Sequence, residues 1–249
     1  MSRRVAAFMV VVLLLFPAVP ARPAVFCDGV DDEIALDDFG LNGASRATFA
    51  AWIYVEDIGT SEEGYFGKAD STVAGVWAGT LSTGRLQFNL GGANSYGEWT
   101  QALNTWEHWV IVYDGNVTGN AERVRIWKDG VETAAAAFVG TIAATIPSST
   151  PVFKVCTGSR VTTNFARVRL ANLMVWAGTA LTLGEAASQY LLPVPITTTN
   201  LRAWLRFEGT GQDLGANFAA AGQPGVGPTV GVVTGALPSF GPPITHGVE

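Results

Sequence analysis

Leu103-Asn-Thr-Trp-Glu-His-Trp-Val-Ile-Val-Tyr-Asp-Gly115, a short polar loop, then Arg123-Val-Arg-Ile-Trp-Lys-Asp-Gly130: this stretch decides the fold. Trp106 to Tyr113 is rich in β-branched and aromatic residues and stops at Asp114-Gly115; Val124 to Trp127 stops at Asp129-Gly130. Two such runs closed by turn residues predict a hairpin. In its second strand Val124 and Ile126 point one way and Arg123, Arg125 and Trp127 the other, so one face seeks a core and the other stays wet.

Outward from the hairpin, the same period-two pattern recurs. Arg46 to Val55 is apolar on both faces, which predicts a strand at the centre of its sheet. Short strands are expected at Val25–Val30, Phe66–Lys68, Val76–Leu81, Val152–Thr157, Arg167–Trp176 and Val226–Val233, with Ile142 to Ile146 a candidate edge strand. In Arg85 to Leu90, Leu86, Phe88 and Leu90 face inward, while Arg85, Gln87 and Asn89 face outward. Leu201 to Phe207 alternates in the same way. Thr182 with Glu185 forms a capping box, predicting one short helix with Leu183, Ala187 and Tyr190 on one face.

Several of these segments resemble the motifs of the laminin-G-like, or concanavalin A-like lectin/glucanase, domains. Thr105-Trp106-Glu107-His108-Trp109-Val110 with Tyr113-Asp114-Gly115 is similar to one strand of that family, and Arg125-Ile126-Trp127-Lys128-Asp129-Gly130 to the next. Phe26-Cys27-Asp28-Gly29-Val30-Asp31-Asp32 resembles its opening, Thr48-Phe49-Ala50-Ala51-Trp52-Ile53 its first long strand, and Val168 to Trp176 with Leu181-Thr182-Leu183-Gly184-Glu185 its ending. The resemblance implies an all-β, two-sheet antiparallel jelly-roll β-sandwich that binds a glycan or a protein. Leu201 to Asp213 resembles a segment that in many members precedes the opening strand, which implies a circular rearrangement.

The chain has 249 residues, 48% hydrophobic and 14% charged, with ample material for a core that holds without a cofactor. Its net charge of −6 argues against nucleic acid or anionic lipid as a partner, because phosphate binding needs clustered Lys and Arg. Ser2-Arg3-Arg4, the apolar run Val5 to Phe16 and the small residues before Ala21 read as a secretory signal over residues 1–21, too short to span a bilayer. The sandwich then occupies 22–236, and 237–249 is a Pro/Gly-rich tail. Secretion or display at a cell surface follows. Export permits a disulfide between the only two cysteines, Cys27 and Cys156; two separate buried thiols are the alternative.

Candidate sites fall in three places. Asp28, Asp31 and Asp32 begin a run of six carboxylates within eleven residues, either a calcium site or a solvated acidic turn. The family's acidic metal position is matched here by Ala171 and Asn172, which removes an inherited ligand. Gly91 to Asn104 reads as a loop carrying Asn94, Tyr96 and Trp99. An aromatic plate beside amide groups suits a sugar ring, although Trp99 also has the option of folding onto the sheet. Arg123, Arg125 and Trp127 offer guanidinium groups beside an indole, or simply a soluble sheet face.

Catalysis is not expected. The two carboxylates that flank a glycosidic bond in retaining enzymes have no strand-borne counterpart, since Glu56-Asp57 and Glu62-Glu63 are split by Gly59-Thr60-Ser61. A degenerate hydrolase would lose its activity on replacement of Glu62 or Glu63. His108 reads as a sheet histidine without a nucleophile. The expected function is a non-catalytic secreted module for a glycan or protein partner. A structural subunit of a virion or cell-surface assembly, acting as a homo-oligomer, is the alternative, and calcium the one cofactor in view.

Overall fold

A computed structural model describes residues 24–58, 62–69, 75–92, 94–157, 165–207 and 218–219. The expected leader, the Val226–Val233 strand and the tail lie outside them. In chain order the elements are β1 (Val25–Asp28), β2 (Ile34–Ala35), β3 (Arg46–Val55), β4 (Glu63–Ala69), β5 (Gly75–Thr80), β6 (Arg85–Leu90), β7 (Tyr96–Thr100) and β8 (Trp106–Asp114). They continue through α1 (Asn120–Arg123), β9 (Val124–Lys128), β10 (Val131–Thr133), β11 (Ala137–Val139), β12 (Lys154–Val155), β13 (Arg167–Ala177), α2 (Leu183–Gln189), β14 (Leu201–Leu205) and β15 (Phe218–Ala219).

These strands form two sheets. A seven-stranded sheet runs β1-β13-β3-β8-β9-β10, with β14 also on β13; an eight-stranded sheet runs β11-β7-β6-β5-β4-β12-β2-β15. All pairings are antiparallel except that of β15 with β2. The organising stretch does form a hairpin, with Trp109 opposite Lys128 and Tyr113 opposite Val124. Asp129 and Gly130 both take positive φ, as a two-residue turn between twisted strands requires.

Inward side chains of both sheets make one core. Phe49, Ile53, Ile111, Val124 and Ile126 from the first meet Phe66, Val76, Leu86, Phe88 and Trp99 from the second. β3 is central, as its two apolar faces require: its outward Ala50 joins a second cluster with Val110, Val112, Trp127, Met174, Trp176 and residues around α2. Cys27 and Cys156 are disulfide-bonded with Cα atoms 5.5 Å apart, which ties β1 of one sheet to the residue after β12 of the other.

Some expectations need correction. Gly91 to Asn104 is not all loop, because Tyr96–Thr100 is β7, paired with β6 and β11. Ile142 to Ile146 is no strand; both isoleucines are buried plugs beyond the edge strand Ala137–Val139. A second short helix, Asn120–Arg123, precedes β9. α2 has the expected capping box, but it buries Ala186 and Gln189 and exposes Leu183. No helix among the described residues is long and apolar enough to cross a membrane.

Candidate functional site

The outer face of the eight-stranded sheet carries the most unusual chemistry. Alternation sends Val76 and Ala78 of β5 into the core and Trp77 out. Trp77 lies opposite Asn89, which lies opposite Tyr96, while Gly79, Gln87 and Glu98 form the next row. Gly79 leaves room for the indole: a Cβ there would sit 2.6 Å from Trp77 Cζ3. The ring therefore lies over the sheet beside two amide side chains.

Trp77, Gln87 and Asn89 are at most 2% exposed, yet they belong to neither hydrophobic cluster. Among the described residues the indole Nε1, both Gln87 amide atoms and Asn89 Oδ1 have no hydrogen-bond partner. Only Asn89 Nδ2 is used, donating to Gly92 O at 3.0 Å. Buried polar groups are nearly always paired with protein or ordered water, so four such atoms in one patch set this face apart from the rest of the sheet. At the margin Tyr96 is half-buried, and Arg85 donates to Glu98 at 2.8 Å, which cancels both charges. The alternation of Arg85 to Leu90 marks the face but not its burial, and Trp77 carries no sequence signal of its own because its glycine neighbours come from the adjoining strand and from two residues along its own.

The residues singled out from sequence do not converge on one site. Asn94 is exposed at the turn before β7, and Tyr96 joins the face just described. Trp99 is no plate for a ligand: β7 turns it into the core at 1% exposure, where Nε1 donates to Thr133 O and its ring meets Phe138 edge-on. Gly97 makes this possible, since a Cβ there would overlap the Trp99 ring. Trp127 does point outward, yet the α2 region covers it to 3% exposure. Arg125 sits over the Trp127 ring at 5.5 Å and is clamped in two bonds to Glu132, at 2.6 and 2.7 Å. Arg123 lies on α1 rather than on the strand, and its guanidinium holds the carbonyls of Val117 and Ile142.

Asp28, Asp31 and Asp32 each place a carboxylate oxygen within 4.8 Å of the others. Asp32 Oδ2 accepts from the Asp28 amide and Asp28 Oδ1 from the Val30 amide, both at 2.7 Å. The three carboxylates fit part of the six-to-eight-oxygen shell that calcium takes. Asn172, at the family's metal position, is instead a bulge residue with φ 54, donating to Pro193 O and accepting from the Trp204 indole. His108 is buried against Trp52 and Tyr190, and burial pushes its pKa down to about 3, so it stays neutral.

Two facing antiparallel layers with a polar and aromatic outer face define a lectin-type sandwich. Residues 28–187 match the concanavalin A-like lectin/glucanases superfamily, and the chain belongs to it. No curated protein sequence matches. Among solved structures, a putative carbohydrate binding protein of Bacteroides ovatus is similar at 17% identity and TM-score 0.54, over 76% of this chain and 53% of that one. A heptameric SAP-like pentraxin of Limulus polyphemus matches at 14% identity and TM-score 0.45, over 69% and 76%. A Trypanosoma rangeli sialidase, in complex with 2,3-difluorosialic acid, matches at 16% and 0.48, over 68% of this chain but 27% of its own length. The expectation that the chain is no enzyme is corrected: sialidases stand among the solved structures that match it.

Proposed function

We propose that the protein is a glycan-binding module and that one neutral sugar unit docks at the rim of the outer face of the eight-stranded sheet, at Tyr96, with the buried polar atoms of Trp77, Gln87 and Asn89 behind it. The observation that carries this reading is the set of four buried polar atoms without partners among the described residues. A sugar hydroxyl donates and accepts at once, so it suits an indole N–H, an amide N–H and two amide oxygens, each costing about 1–3 kcal/mol while unsatisfied. Approach is from the margin at Tyr96 and Arg85, and the Arg85–Glu98 pair leaves no net charge there. The Bacteroides structure, titled a putative carbohydrate binding protein, supports the ligand class. A disulfide and the basic-then-apolar leader support secretion or surface display.

A glycan array run with and without EDTA tests this, using the native chain, Gln87→Met and Trp77→Phe. The native chain should retain neutral saccharides and each variant should bind them at least tenfold more weakly. The ligand-free Gln87→Met protein should melt at a higher temperature, since an amide with two orphaned atoms is gone. Variants that bind as well as the native chain refute the site. Binding lost in EDTA would bring Asp28, Asp31 and Asp32 into recognition.

A further inference from the structure

The outer face of the seven-stranded sheet is only partly covered. The α2 region lies over Trp127 and Trp176, but a lateral row near the β1 end belongs to neither cluster: Phe26 on β1, Arg169 on β13, Tyr54 on β3 and Trp106 on β8. Register places each opposite the next, so the row crosses four strands, about 14 Å at ordinary strand spacing. All three rings are half-buried. The Arg169 guanidinium stands 5.1 Å from the Phe26 ring and 5.9 Å from that of Tyr54, and Tyr54 meets Trp106 at 5.5 Å.

Glu56 ties the two arginines together. Glu56 accepts from Arg169 Nε at 2.6 Å and from Arg167 Nε at 3.2 Å, so one carboxylate serves two guanidinium groups. Burial raises the Glu56 pKa, but the bonds from Arg169 and Arg167 outweigh it and hold the carboxyl ionised below its usual range. Asp57 follows Glu56 in the chain and Asp28 stands opposite Arg167 in the sheet, so the carboxylates border the row and the two guanidinium groups are the charges among its rings. The two Arg side chains are 50% and 53% exposed; Arg169 also sets Nη2 2.6 Å from Glu56 Oε1, so Arg169 Nη1 and the two terminal nitrogens of Arg167 are the ones without a hydrogen-bond partner among the described residues.

We propose that this row is a second binding site, separate from the neutral-sugar face, and that it takes an acidic saccharide whose carboxylate meets Arg169 and Arg167 while its rings lie on Tyr54 and Trp106. Planar guanidinium forks match a carboxylate with two parallel bonds, and the flanking aromatic plates suit the C–H faces of linked sugars. A protein partner fits less well. Its interface needs more than about 1,000 Å², and here the apolar surface is three rings bordered by Arg167, Glu56 and Asp57.

The test measures binding of the full chain to an oligouronate and to the same oligomer with its carboxyl groups reduced, by calorimetry at physiological salt. The native protein should bind the acidic oligomer at least tenfold more tightly than the reduced one. Arg169→Gln should remove that preference, Arg169→Lys should keep part of it, and Trp106→Ala should weaken both ligands. Gln87→Met, on the other sheet, should leave oligouronate binding unchanged. Melting temperatures within a few degrees of native would show the variants folded. Equal affinity for the two oligomers, or native-like binding by Arg169→Gln, overturns the proposal, as does retention of acidic peptides in preference to the oligouronate. Neutral-sugar binding lost only in Gln87→Met reports on the other face, so the two sites stand or fall separately.

Discussion

Lys68 carries an ammonium group to 1% exposure at the end of the core, where Nζ donates to Asn42 Oδ1 at 2.8 Å and Ser149 O at 3.1 Å, with Asp38 at 3.5 Å. Lys68→Met keeps the bulk but strands those acceptors, and urea unfolding should show a loss of about 1–3 kcal/mol. Nothing in Phe66-Gly67-Lys68 announced this, because the partners come from Asn42 and Ser149, far along the chain. His108 was legible as a sheet histidine from its place between Glu107 and Trp109. Its folded pKa of about 3 lies below the unfolded value near 6.5. Between these limits the unfolded chain binds the proton and the folded one does not, so stability falls as pH drops from about 6.5 towards 3, by at most about 1.4 kcal/mol per unit from this group. A His108→Gln variant should flatten that part of a stability-against-pH curve; a native slope retained in the variant would assign it to other groups.

Among elements, α2 shows what local sequence does and does not determine. Thr182 and Glu185 cap each other reciprocally, through bonds to each other's backbone amides, so the start of the helix could be read directly. Its buried face could not, because seven residues give too few turns to fix a phase. Gln189 looks like a solvent residue, yet its amide serves the carbonyls of Leu192 and Val194 and the amide of Ile196, which holds the proline-rich return segment down. Thr182→Ala should cost about 1 kcal/mol. Because the α2 region covers Trp127 and Trp176, its loosening should also red-shift tryptophan emission before global unfolding. In β7 the glycine and glutamate between Tyr96 and Trp99 disguised a strand as a loop, since alternation is visible only where one face is apolar throughout.

At the scale of the molecule, the two-layer architecture was legible because almost every strand advertises which side is apolar, whereas the orphaned amides of Gln87 and Asn89 are a property of neighbouring strands together. The disulfide belongs to this scale. Cys27 and Cys156 are 129 residues apart and join different sheets, so the bond holds the sandwich shut along its β1 edge and restricts the unfolded chain over half its length. Closing so long a loop is worth about 2–5 kcal/mol, much of it exerted on the unfolded ensemble. A Cys27→Ala, Cys156→Ala protein should therefore lose stability of that order while keeping both sheets, because the two side chains it removes are small and stand among a core supplied by every other strand. Freed of its cross-link, the unfolded chain should expand and expose more surface, which raises the urea m-value. A loss of stability at unchanged m would instead place the bond's effect in the folded state, as packing between the sheets, and far-ultraviolet circular dichroism of the variant would then have to show altered strand content.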